Sequence, residues 1–146
     1  MTEAAARVSF YVLAEQEPVA RFGFACKLTE KAYKLGQRIH LHTAGGSEAE
    51  TLDRMLWTFR QGSFIPHQRL NPAQPPTAPV TISSGSDAPP VVDLLINLAD
   101  EVPAFYGQFA RIAEIIDGSS ACREAGRSRH RFYRQQSLEP ETHQIG

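Results

Sequence analysis

The run VVDLLINLA, residues 91–99, constrains the fold more than any other stretch of this chain. Leu94, Leu95, Ile96 and Leu98 leave it no polar face, which is the pattern of a strand covered on both sides. Such a strand needs a layer above and a layer below, and in parallel α/β sheets those layers are helices. With 146 residues, 42% of them apolar, the chain is long enough for one core of this kind and too short for two. It is therefore expected to form one domain.

The flanking segments supply the remaining parts. Val8 to Leu13 is rich in β-branched and aromatic residues and reads as a buried strand, followed by a turn at Glu15 to Pro18. From Pro18 to Leu35, Phe22, Ala25, Cys26, Thr29 and Tyr33 recur at helical spacing, and Gly36 suits the stop position. RIHLH then alternates Ile39 and Leu41 against His40 and His42 as a second strand. Ser47 and Glu50 have capping-box spacing, which predicts a helix from Ser47 to about Phe59.

Seven of the ten prolines fall between Pro66 and Pro90, so most of that segment is expected to be loop, with one strand around Val80 to Ile82. After Pro103, the spacing of Phe105, Phe109, Ile112, Ala113 and Ile116 predicts an amphipathic helix ended by Gly118, and a further helix starts at Ser119 or Ser120. Beyond about residue 136 a short flexible tail is expected. The order is strand, helix, strand, helix, two strands, two helices: a largely parallel sheet with helices on both faces.

Chemistry is sparse. TAGGSEAE places Gly45 and Gly46 before a helix, but it lacks the Lys-Ser/Thr of a P-loop and the spacing of a dinucleotide fingerprint, so a plain connection is expected. His40 and His42 share a side of their strand without Cys or carboxylate at ligand spacing, and are read as a solvent-facing pair rather than a metal site. Asp87, Asp93, Asp100 and Glu101 bracket loops and strand ends without catalytic spacing, and no G-x-S-x-G elbow occurs. No catalytic set, metal or cofactor is expected. The two cysteines, Cys26 and Cys122, fit a reduced cytoplasmic compartment. No apolar run approaches the roughly 18 residues of a membrane span.

Two surfaces stand out instead. On the helix from Ser47, Leu52, Met55, Leu56 and Phe59 form one apolar stripe, while Trp57 points roughly 150° away from its centre. Either another element such as the proline-rich loop covers Trp57, or it anchors a partner together with Phe64 and Pro66. In ACREAGRSRHRFYR, Arg123, Arg127, His130, Arg131 and Arg134 fall within roughly a 100° arc, opposite Ala121, Ala125 and Phe132. With Arg129, the segment carries five of the chain's 15 Lys and Arg residues and one acid, Glu124. The basic face is either solvated or a site for a carboxylate-rich or phosphate-rich partner. The formal net charge of −1 argues against general polyanion binding.

With these residues in view, the chain resembles the chi subunit of the bacterial DNA polymerase III holoenzyme, an accessory of its clamp loader. The resemblance rests on VSFYVL, ACKLTEKAYKLGQRI, LDRMLWTF followed by SFIPH, PVTI, DLLINL and the ending GRSRHRFYR. It implies a non-enzymatic, Rossmann-like adaptor in the bacterial cytoplasm. It further implies that Trp57, Phe64 and Pro66 face the psi subunit of the clamp loader, or a helicase that competes for the same surface. The acidic C-terminal tail of single-stranded DNA-binding protein would then lie on Arg123, Arg127, His130, Arg131 and Arg134, with Phe132 and Ile115 shaping a pocket and DNA contacted mainly indirectly. A direct single-stranded nucleic-acid module using the same helix is the alternative.

Overall fold

The computed structural model describes residues 6–59, 62, 64–70, 77–85 and 87–145. Seven strands form one sheet: β1 (Arg7–Leu13), β2 (Ile39–His42), β3 (His67–Arg69), β4 (Val80–Ser83), β5 (Leu94–Asn97), β6 (Arg111–Ile116) and β7 (Glu141–Ile145). Their spatial order is β3-β4-β2-β5-β6-β1-β7, and every pairing is parallel. The helices are α1 (Pro18–Lys34), α2 (Gly46–Thr58) and α3 (Ser120–Gln135), with a short 3-10 helix at Ala104–Gln108.

β5 has the two-sided burial its composition demands. Leu94 and Ile96 join Phe22, Ala25 and Cys26 of α1 and Leu52 and Leu56 of α2 in one cluster. Leu95 faces the other way, into a cluster with Phe105, Phe109, Ile112 and Tyr133. Helices thus cover both faces of a parallel α/β sheet, as expected. Gly36, with φ +82°, ends α1 in a conformation that costs glycine least.

Five expectations are corrected. Residues 111–116 are not the second half of an amphipathic helix but strand β6, with the 3-10 helix before it. Phe105, Phe109, Ile112 and Ile116 mimic helical spacing because all four drain into one cluster, while Ala113 and Ile115 face the opposite one. The true period is two. Secondly, α2 begins at Gly46 with Gly45 as its cap residue and no side-chain capping bond, so Ser47 already lies within the first turn and forms no capping box with Glu50.

Thirdly, His40 and His42 are buried, because their strand is interior to the sheet and both rings pack against Phe105. Fourthly, the expected tail after about residue 136 supplies β7, which extends the sheet by pairing with β1 from Ser9↔Glu141 to Leu13↔Ile145. Ser137, at φ 64°, turns the chain back after α3. Lastly, the proline-rich segment also contains β3, a three-residue edge strand, His67–Arg69, that is free of proline and pairs with β4. Residues 71–76 of that segment lie outside the described residues.

Candidate partner-binding surfaces

α3 is built to lie on the sheet. Ser119 caps it, its Oγ accepting from the Cys122 N–H at 3.4 Å, and Asp117 Oδ1 in turn accepts from the Ser119 N–H at 2.8 Å. The face that packs is Gly126, Arg129 and Tyr133, rather than Ala121 and Phe132 as the helical count predicts; Ala121 is exposed and Ala125 half-buried. Phe132 lies edge-on to Tyr106, 5.4 Å between ring centroids.

The displacement of that face has a cause in β6. Glu114 is fully buried and gathers donors: Arg129 Nε at 2.8 Å to Oε1, Tyr133 Oη at 2.7 Å and Asn97 Nδ2 at 3.0 Å to Oε2. Burial pushes the Glu114 carboxyl up, and the three donors oppose that shift. Arg129 also donates to the Asp100 carbonyl at 3.0 Å. It is therefore a strut between α3 and the sheet, and leaves the exposed basic set. Gly126 is the second requirement, since a Cβ there would overlap Ile116 Cδ1.

Lying this close, α3 forms a cleft of about 290 Å³ with β7. Phe10, Val12 and Ile116 supply apolar lining from β1 and β6; Arg123, Arg127 and His130 come from α3, and Thr142 and Gln144 from β7. The His130 ring packs 5.2 Å from that of Phe10. Arg131 and Arg134 are exposed on the same helix but do not line the cleft, and Arg131 Nη2 donates to Ser128 Oγ at 3.3 Å. Ile115, expected in the pocket, points to the opposite face of the sheet. Sequence reasoning missed Phe10, Val12, Thr142 and Gln144; the alternation within VSFYVL carries a signal for the first two, which share a face.

The second surface is at the end of α2. Leu52 and Leu56 are buried as the apolar stripe requires, whereas Trp57 is 54% and Phe64 82% exposed. Pro66 is exposed beside them. The two aromatic rings meet edge-on, 6.5 Å between centroids at 84°. Between Phe64 and Pro66, Ile65 is buried and anchors the segment in the main core. His67 underlies the indole at 4.5 Å, with its side chain excluded from solvent.

Several of the groups considered for chemistry are otherwise engaged. The His40 nitrogens pair with Thr81 Oγ1 at 2.7 Å and Ser83 Oγ at 3.0 Å, and burial pushes its pKa down to about 3. Asp93 Oδ2 accepts from the Arg38 N–H at 2.8 Å. Burial raises the Cys26 thiol to about 12, which leaves it protonated and unreactive. Among the described residues no three His, Cys, Asp or Glu side chains gather as metal ligands, and no helix is long and apolar enough to cross a membrane.

Residues 5–141 match the family model described as DNA polymerase III chi subunit, HolC. The chain is 40% identical over 139 residues to DNA polymerase III subunit chi of Pseudomonas aeruginosa, covering 95% of this chain and 96% of that one. It is 28% identical to the subunit of the same name from Haemophilus influenzae, over 94% and 96% of the two chains. To that of Escherichia coli it is 25% identical over 75% of each. On this match over nearly its whole length, the chain belongs to the DNA polymerase III chi subunit family.

Proposed function

We propose that this protein is a non-catalytic replisome adaptor, joining single-stranded DNA-binding protein to the DNA polymerase III clamp loader. The observation that carries the reading is the cleft between α3 and β7, where Arg123, Arg127 and His130 stand beside the apolar side chains of Phe10, Val12 and Ile116. An acidic peptide with a hydrophobic end and a free carboxylate needs this combination: charge-assisted donors at the rim and an apolar seat below. The acidic C-terminal tail of single-stranded DNA-binding protein is such a peptide. Arg131 and Arg134 extend the positive field along the helix for the more remote acids. The Trp57, Phe64 and Pro66 surface receives a psi-type subunit or a competing helicase, since exposed aromatics that touch one another are the composition of a binding hot spot.

Direct gripping of single-stranded nucleic acid is less well supported by the same helix. Base stacking needs exposed aromatic faces, yet Tyr133 is fully buried and Phe132 is half-buried against Tyr106. The test is a titration of the protein with a tail peptide, the same peptide lacking its terminal hydrophobic residue, and a single-stranded oligonucleotide at matched ionic strength. The intact tail is expected to bind tightest. Equal affinity for the two peptides, or tighter binding of the oligonucleotide, rejects the reading.

A further inference from the structure

Both ring nitrogens of His67 face acceptors. Nδ1 lies 2.7 Å from the Ile65 carbonyl oxygen, and Nε2 lies 3.1 Å from the Asp53 carbonyl oxygen and 3.3 Å from Asp53 Oδ1. The ring thus bridges the end of α2 and the 64–67 segment through both of its nitrogens. The Asp53 carboxylate is the charged group beside it from α2, while β4 presents Val80 in register.

The placement matters because of what lies on the ring. Asp53 and Trp57 are four residues apart, hence neighbours on one side of α2, and His67 occupies the space between Asp53 and the indole. By holding the Ile65 carbonyl on its other side, it also fixes the peptide between the two exposed residues Phe64 and Pro66. We propose that His67, engaged through both nitrogens, is the positioning residue of the Trp57–Phe64 surface: it joins the end of α2 to the 64–67 segment and presents the indole in its binding geometry. The proposal rests on the reading of Trp57 as a partner surface. A preset aromatic pair loses less conformational freedom on association than one that must be ordered by the partner.

The chain's single tryptophan is Trp57, so its fluorescence reports this contact without a label or a partner. In His67→Gln and His67→Asn, each of which can donate towards one side only, acrylamide quenching of that emission is expected to be faster than in the wild-type protein, because the indole is held less firmly. Binding of purified psi subunit should weaken about tenfold in both variants, and circular dichroism should confirm that they remain folded. Unchanged acrylamide quenching in both folded variants overturns the inference whatever binds. So does full psi affinity in both. Faster quenching in the variants together with a psi affinity that Trp57→Ala leaves intact instead rejects the surface reading on which the proposal rests.

Discussion

Arg129 donates from Nε to Glu114 Oε1 at 2.8 Å with both side chains buried, so the most basic segment of the chain is tied to its sheet by one of its own arginines. Removing one member of such a pair leaves an uncompensated buried charge, and Glu114→Ala is expected to cost about 3 to 5 kcal/mol. Replacing both with apolar residues of similar volume, Glu114→Leu with Arg129→Met, should recover much of that loss. Urea unfolding of the single and double variants checks the order.

Gly126→Ala sets two effects against each other. Alanine favours the helix by about 1 kcal/mol, while its Cβ overlaps the end of Ile116, a residue lining the cleft. Ile116 must turn or α3 must lift, and either change reshapes the seat for the tail. The expected outcome is a small shift in melting temperature with a clear loss of tail affinity, read by calorimetry and peptide titration on the same sample.

How far these sites were legible in sequence depends on where their partners lie. β5, α1 and the outward Trp57 follow from local pattern alone, because Leu94 to Leu98 and the α2 stripe each state their own burial. Arg129 is different: its burial is decided by Glu114 and Asp100, on other elements, and nothing in GRSRHRFYR marks it apart from Arg127. The same holds for β6, whose polar Glu114 broke the continuous apolar run that identified β5, and for the cleft, half of which comes from β1 and β7. His67 was visible as part of SFIPH, but its contacts with Asp53 and Trp57 arise only when β3 packs beside α2.

Acid should destabilise the protein through the buried pair His40 and His42. The folded-state pKa of His40 lies below its ordinary value, near 3 instead of 6.5, so the unfolded chain takes up the proton first as pH falls. Its contribution is complete above pH 6.5 and is lost as pH drops from there towards 3, with a slope of at most about 1.4 kcal/mol per pH unit. His42 is lowered by burial in the same sense. His40→Gln, which retains a polar group near Thr81 and Ser83, should flatten the dependence. Denaturant unfolding at stepped pH below neutrality measures the slope in both proteins.

Trp57→Ala should separate folding from binding. Truncating a fully buried aromatic costs about 3 to 5 kcal/mol, but this indole is more than half exposed, and about 1 kcal/mol is expected here. Phe64→Ala, at an 82% exposed position, should cost less still. Both should abolish detectable capture of a psi-type partner while leaving tail binding at α3 unchanged. Loss of stability in the range of a core truncation would identify Trp57 as part of the core.

The arginines of α3 should divide by position rather than by charge. Arg127 and Arg123 line the cleft, whereas Arg134 is also exposed on the same helix but lies outside it. A charge-assisted bond to a bound carboxylate contributes on the order of 1.5 to 3 kcal/mol when desolvated and less when solvated, so Arg127→Ala should weaken tail binding about tenfold or more. Arg134→Ala contributes only to the long-range field and should change affinity by about twofold at low salt, an effect that added salt screens away. Arg129→Lys provides the contrast: it keeps the charge but loses the fork that engages Glu114 and Asp100, and should lower stability before it lowers affinity. Equal losses for Arg127→Ala and Arg134→Ala at all ionic strengths would mean that the helix acts as a diffuse positive surface, and that the cleft between α3 and β7 does not seat the peptide.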